Sequence, residues 1–457
     1  MKQAVQKQKP DMLNGPLWNK IPQFALPVAA TAILEQLFNA SDIAVVGNFS
    51  GAASTIAVAA VGANSFVISL VVNFFIGIAL GANVVIANAI GREDTDAVHR
   101  AVHTAVVVAV LGGVLVTVLG ELAAGPALRA LNVPAEVLPY ALLYLRIYLL
   151  GVPVILLYNF EAAIFRSVGD TRVPLQTLAF SGVLNVLLNL FFVIVLHMTV
   201  NGVATATVLS NAISSVLLFV RLRRSDKAIH LEWTALRIDR RSLQKILQIG
   251  IPAGIQSAVF SISNIVIQSA INSLGTVVMA ASSAAFNIEV VAYDVLNSFS
   301  QACTTFVGQN YGAGKLDRCR KTLVLCLVED ALASGIAILL VLGSGHFLLS
   351  LFNRDPEVIA LGYTRLMTVF TAYFFSMLYE VMSGYLRGFG ISLVPALLTM
   401  LGVCGVRILW IATAFPRSRT FQTILLAYPL SLAATAVLIL LALLIYHPSR
   451  RTKGEAV

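Results

Sequence analysis

The sequence predicts an all-α integral membrane protein of twelve transmembrane helices, arranged as two pseudo-symmetric six-helix lobes. Three observations predict it: a composition too apolar for water, twelve separable apolar runs, and an internal repeat in register between the two halves. Of 457 residues, 58% are hydrophobic and 12% are charged, and the mean hydropathy is +0.86. A soluble domain carries roughly 25% charged residues. The apolar residues are spread along the whole chain, so most of it must face lipid or other buried helices.

A spanning helix needs about 20 mostly apolar residues. The runs that meet this fall at 22–47, 56–90, 96–119, 137–164, 174–196, 201–221, 244–271, 277–310, 319–343, 358–385, 392–414 and 422–446. The second and eighth are longer than a bilayer requires, which predicts tilt or extension beyond it. Helices follow because lipid cannot satisfy open backbone groups. The first run contains Pro27 and Glu35 and follows Lys2, Lys7, Lys9 and Lys20; it reads as a retained helix and not a cleaved signal peptide.

Placing both termini on the same side puts 24 of the 31 Lys and Arg residues there. The opposite side receives only Arg129, Arg354, Arg417 and Arg419, while Arg146, Arg365 and Arg407 lie within spans. The positive-inside rule then sets both termini in the cytoplasm. The net charge of +9 is a topology signal, and no nucleic-acid partner is expected. The basic residues from Arg221 to Lys245 suit topology and headgroup contact.

Shifting the chain by 221 residues brings identities into register. Gly91 meets Gly312, Asp96 meets Asp317, and Asn132, Glu136 and Val137 meet Asn353, Glu357 and Val358. Leu157, Tyr158, Arg166, Gly169 and Pro174 meet Leu378, Tyr379, Arg387, Gly390 and Pro395. Six spans per half is an even number, so the halves share one orientation and form a parallel repeat. The expected domains are an N-terminal lobe at 1–221, a basic cytoplasmic linker at 222–243 and a C-terminal lobe at 244–457. Such a pair rocks about a cleft to give alternating access.

Acids inside spans are costly and as a rule functional. On the first helix Pro27, Thr31, Glu35, Asn39 and Asp42 advance by 4, 4, 4 and 3 and share one face. Pro27 frees a carbonyl and allows a kink. Asn185 and Asn189 lie one turn apart on the fifth helix. A carboxylate with amide oxygens suits Na⁺, and a desolvated carboxyl can instead capture a proton. In the second half Asn264 stands where Asp42 stands, and Arg407 lies within one residue of the position matching Asn185. That half has exchanged an acid for a fixed cation and should bind no coupling cation at the equivalent place. Cleft candidates elsewhere are Glu161, Glu380, Asn287 and Asp294, which matches Asn73 in the repeat. Asp294 reads either as a cleft group or as a counter-charge to Arg407. Arg146 and Arg365 read as packing groups or interfacial anchors. The four cysteines have no metal-site spacing, and no His pairs with a ligand set inside a span.

The stretches LFNASDIAVVG (37–47), FRSVGDTRVP (165–174), GQNYGAGK (308–315) and YLRGFG (385–390), with the twelve spans and the repeat, resemble the multidrug and toxic compound extrusion (MATE) transporters over nearly the full length. The resemblance implies a V-shaped pair of six-helix lobes. It also implies export of small organic, often cationic, compounds in antiport with H⁺ or Na⁺, with no other cofactor and no metal site apart from Na⁺ at Asp42. It places an amino-lobe ion site at Asp42, Asn185, Asn189 and Pro27, with Thr207 on the sixth helix. Many members have an Asp where Asn189 stands. Some carry a carboxy-lobe Glu and Asp, where this chain has only Gln256, Asn264, Gln268 and Glu380, so the amino-lobe, proton-coupled type is expected. The chain is expected to be a monomer in the cell membrane, not an enzyme. The alternative is a flippase of lipid-linked precursors; it would want a cationic cavity, whereas Glu35, Asp42, Glu161, Asp294 and Glu380 outnumber the arginines within spans.

Overall fold

Long apolar runs with few interior breakers close into helices because each must satisfy its own backbone. The computed structural model describes residues 11–131, 133–225 and 228–448. Lys2, Lys7, Lys9, Asn132, Lys227 and the basic residues beyond 448 lie outside the described residues. The helices are α1 (Lys20–Phe49), α2 (Ser54–Gly91), α3 (Thr95–Ala130), α4 (Leu138–Ser167), α5 (Arg172–Leu190), α6 (Val200–Arg223), α7 (Arg240–Asn272), α8 (Thr276–Gly312), α9 (Leu316–Ser350), α10 (Pro356–Gly388), α11 (Leu393–Thr399), α12 (Val406–Thr413) and α13 (Phe421–Tyr446). A π-helical segment at Phe191–Val195 extends α5, and another at Met400–Gly405 joins α11 to α12. Twelve helices among the described residues are long and apolar enough to cross a membrane, counting Leu393–Thr413 as one.

The expected long spans are long: α2 has 38 residues and α8 has 37. The third and ninth helices overrun their expected ends at 119 and 343, reaching Ala130 and Ser350. Hydrophobicity marks where lipid ends, but a helix stops only where its backbone is capped. In α3 the overrun carries Glu121, which pairs with Arg146 of α4 at 3.5 Å. Local caps set the starts. Asp94 accepts from the Ala97 amide ahead of α3, and Asp355 accepts from the Glu357 amide ahead of α10. Asp239 accepts from the amide and hydroxyl of Ser242 at 2.8 Å each, and these bonds hold its carboxyl below the usual range.

The repeat is present in detail. Gly169 after α4 and Gly390 after α10 both take a left-handed conformation, with φ of 81° and 84°. Glu93 after α2 and Gly314 after α8 do the same, at 57° and 72°. Asn83 Nδ2 donates to the Ala163 carbonyl at 3.1 Å, and 221 residues later Thr304 Oγ1 donates to the Gly384 carbonyl at 3.1 Å.

Two compact units are present. One comprises Ala30–Ile90 and Asp94–Gly250; the other comprises the residues up to Ala29, Gly91–Glu93 and those from Ile251 onward. We refer to them as the amino-terminal and carboxy-terminal units. In the first, Ala82, Ala101, Val102, Ala105 and Phe160 share a core. In the second, Leu366, Val369 and Ile424 share one, and Phe24 meets Phe306 edge-on at 5.9 Å. Arg318 fixes the segment before α1 there, donating to the carbonyls of Met12, Asn14 and Gly15. On α9, Val324, Val328, Leu332, Ile336, Leu339 and Leu340 are 51–71% exposed at helical spacing, an apolar stripe suited to lipid. The opposite seam, Cys319, Thr322, Cys326, Asp330 and Ser334, is buried.

Candidate functional site

The polar face of α1 borders a cavity of about 170 Å³ in the amino-terminal unit. Glu35, Asn39 and Asp42 line it from α1; Ser181 and Asn185 line it from α5; Thr207, Ser210 and Asn211 line it from α6. Tyr148, Tyr158 and Asn159 of α4 complete the polar part of the wall.

Asp42 is 5% exposed and sits at the meeting of three helices. Asn189 Nδ2 donates to its Oδ1 at 2.5 Å, and Thr207 Oγ1 donates to its Oδ2 at 3.0 Å. The same Asn189 amide donates to Asn185 Oδ1 at 3.2 Å. A buried carboxyl must be hydrogen-bonded or neutral, and here each oxygen has one neutral donor. Helical spacing supplies the partners: Asn185 and Asn189 are one turn apart, and Thr207 stands on the facing side of α6. Close approach of α1 to α5 needs the missing side chain at Gly182, where a Cβ would lie 1.8 Å from the Phe38 ring. The α5 helix widens into its π segment two residues after Asn189, a distortion common at functional sites.

The sequence-predicted residues therefore divide. Asp42, Asn185, Asn189 and Thr207 are brought together in one hydrogen-bonded group. Glu35 and Asn39 line the same cavity and are exposed to it. Pro27 lies inside α1, fifteen residues before Asp42. Asn73 is half-buried on α2 and does not line the cavity. Glu161 is fully buried on α4, also away from the lining, with Ser215 Oγ donating to its Oε2 at 3.0 Å. Reading for acids and amides missed Ser181, Ser210, Asn211 and the α4 tyrosines. A signal for Ser181 was present in the polar spacing Thr177, Ser181, Asn185, Asn189 on α5.

In the carboxy-terminal unit the corresponding positions do different things. Asn264 is exposed on α7. Arg407 is buried; its Nε donates to Ser431 Oγ at 3.1 Å, and its guanidinium lies 4.5 Å from the Tyr428 ring centre. Asp294 is half-buried and forms no ion pair with Arg407, so the counter-charge reading is corrected: a ring face and a hydroxyl occupy that role. Asn287 is exposed and donates to the Ser283 carbonyl at 3.1 Å. Glu380 is buried and accepts from Tyr293 Oη at 3.0 Å. Arg365 is 2% exposed and forks onto Glu289, with Nε to Oε1 at 2.7 Å and Nη2 to Oε2 at 2.9 Å. It is a packing group; Arg146, more than half exposed, is the one at a surface. Among the described residues no cluster of three or more His, Cys, Asp or Glu is placed to hold a metal ion.

The family model MatE matches residues 27–191 and 252–412. A probable multidrug resistance protein of Bacillus subtilis, YoeA, is 26% identical over 411 residues, which is 88% of this chain and 87% of that protein. A probable multidrug resistance protein of Thermotoga maritima, NorM, is 26% identical over 446 residues, covering 95% and 93%. Among solved structures, an outward-facing multidrug resistance MATE family transporter superposes with a TM-score of 0.88 at 19% identity, covering 98% of this chain and 100% of that one. A MOP superfamily transporter from Pyrococcus furiosus gives 0.89 at 20% identity, with the same coverage.

Proposed function

This chain belongs to the MatE family of membrane transporters, and on that footing we propose that it exports small organic, often cationic, compounds by alternating access in antiport with protons taken up at Asp42. The observation that carries the reading is the buried Asp42 carboxyl on the wall of a polar cavity, held by one donor on each oxygen. The groups at hydrogen-bond distance from it are an amide N–H and a hydroxyl, each donating to the carboxylate. Asn185, Asn189 and Thr207 also carry oxygens of the kind Na⁺ needs, but Asp42 is the one carboxylate in this group, and a proton needs only the carboxyl itself. Protonation of Asp42 removes an acceptor from Asn189 or Thr207 and loosens α1 from α5 or α6. Pro27 lacks the amide that would tie its turn of α1, so α1 can answer by bending there. A cation can drive export only by binding one of two states better than the other, and on this reading Asp42 is the group through which it does so.

Asp42→Asn keeps the shape of the protonated acid and cannot release a proton. Purified and reconstituted, it should insert normally and lose export driven by a pH gradient. Wild-type export by that variant would overturn the assignment of Asp42.

We further propose that the protein resides in the cell membrane as a monomer, with both termini and the segment around Ala228 on the cytoplasmic side. The 24-to-4 division of basic residues supports this orientation. A cysteine placed at 228, an exposed position, should react with an impermeant thiol reagent only in inverted or opened membranes; labelling in intact cells would refute it.

A further inference from the structure

Behind the wall of the Asp42 cavity lies a second carboxyl that the reading above leaves unused. Glu161 is on α4, five residues before Arg166, and is 0% exposed. Ser215 of α6 donates to Oε2, while the buried Oε1 meets no hydrogen-bond partner. An ionised carboxyl has room for about four donors, and an acid so poorly supplied inside a spanning segment is expensive to keep charged.

Two features connect it to the cavity. Tyr158, one turn earlier on α4, lines the cavity and stands within electrostatic reach of both Glu161 and Glu35. Ser181, which also lines the cavity, accepts a hydrogen bond from Ser214, the chain neighbour of the Ser215 that holds Glu161. Tyr158 and Ser181 thus belong to the cavity wall, and each stands near the surroundings of Glu161.

We propose that Glu161 is a second proton-carrying residue of the amino-terminal unit, exchanging protons with the Asp42 cavity past Tyr158 and the Ser181–Ser214 pair. The proposal rests on Asp42 being the proton-coupling site. In the handover Asp42 loses the proton that Glu161 gains, through hydroxyls or intervening water, so the summed charge of the pair is unchanged. Glu161 lies toward the end of α4 that carries Arg166, the end assigned to the cytoplasm by the basic residues, and so on the exit side of the route.

The groups around Glu161 leave this role open to it. On α4 itself the neighbouring titratable group is Tyr158, which Arg166 of α4 and Glu35 of α1 also reach. From α6 come Ser214 and Ser215, and from α5 Ser181. From α2, Asn83 bonds the Ala163 carbonyl. The α3 residues that share the core with Phe160 and Ala163 are apolar, and its two histidines stack on each other at 3.9 Å, with His103 bonded to the backbone of Glu232.

The test uses infrared difference spectra of the full-length protein in liposomes, taken between acidic and alkaline pH and read at the carbonyl stretch of protonated carboxyls. Asp42→Asn should remove one pH-dependent component and Glu161→Gln another. Efflux of ethidium under a pH gradient should fall about tenfold or more in Glu161→Gln and recover partly in Glu161→Asp. Gln retains an oxygen acceptor for Ser215, so loss of a merely structural acceptor is not what this variant reads. If Glu161→Gln removes no pH-dependent component while Asp42→Asn removes its own, the role of Glu161 is refuted and that of Asp42 stands. If Asp42→Asn removes none, the coupling site is refuted as well. Should Glu161→Gln fail to assemble, Ser215→Ala must shift the midpoint of the second component, and an unshifted midpoint refutes the proposal.

Discussion

The two halves of the chain repeat a helical pattern and have filled equivalent positions with different charge. In the amino-terminal unit α1 presents Asp42 to Asn189 and Thr207, beside a cavity. In the carboxy-terminal unit the matching place on α7 holds Asn264, and Arg407 stands where α5 has its asparagine pair. The amino-terminal acid is held by neutral donors that can exchange partners. Two carboxy-terminal cations are held otherwise: Arg365 is forked onto Glu289, and Arg407 is laid against the ring of Tyr428. A group that must change protonation state needs weak, replaceable partners, whereas a charge that must never move is best forked and buried. The difference teaches that a repeated frame can keep its turns and packing while the polar groups at matching positions diverge.

The largest effect expected from this contrast is the loss of gradient-driven export in Asp42→Asn with little change in thermal stability. Glu289→Ala should do the reverse. Removing one partner of a buried ion pair leaves the other uncompensated and costs about 3–5 kcal/mol. The melting temperature of the purified variant should fall sharply, and a melting curve like that of the wild type would show that Arg365 has another counter-charge. At the small end, Asn264→Ala should leave both the melting temperature and the pH dependence of export near wild type. A shift in pH dependence as large as that of Asp42→Asn would break the comparison, because it would give the carboxy-terminal unit a coupling role.

Much of this was legible in the sequence. The spans followed from length and hydropathy, and the cluster of Asp42, Asn185, Asn189 and Thr207 followed from helical spacing together with a family resemblance. Periodicity names the residues that share a face but not the face they meet. Arg365 and Glu289 are 76 residues apart, and nothing local to either announces the other. Tyr158 sits in an apolar stretch and reads as core until the cavity beside it is seen. Gly182 matters for the Cβ it lacks, which only the position of Phe38 reveals. Helix ends were misjudged where apolar composition faded before the backbone was capped, as in α3.

Helix α9 shows how unevenly such a chain can be constrained. Only 17% of its most apolar stretch is buried, against 61% for α2. Its outward residues need only remain oily, so Leu, Ile, Val and Phe should be interchangeable there, with charge excluded by the solvent and not by any neighbour. Its inward seam obeys another rule. Asp330 accepts from Ser334 at 2.6 Å, and Cys319, Thr322 and Cys326 fill the same line, so larger side chains there would push the helix off its support. One helix thus carries two mutational regimes, a permissive one written by hydrocarbon and a strict one written by packing. Sequence drift should accumulate on the first and be purged from the second.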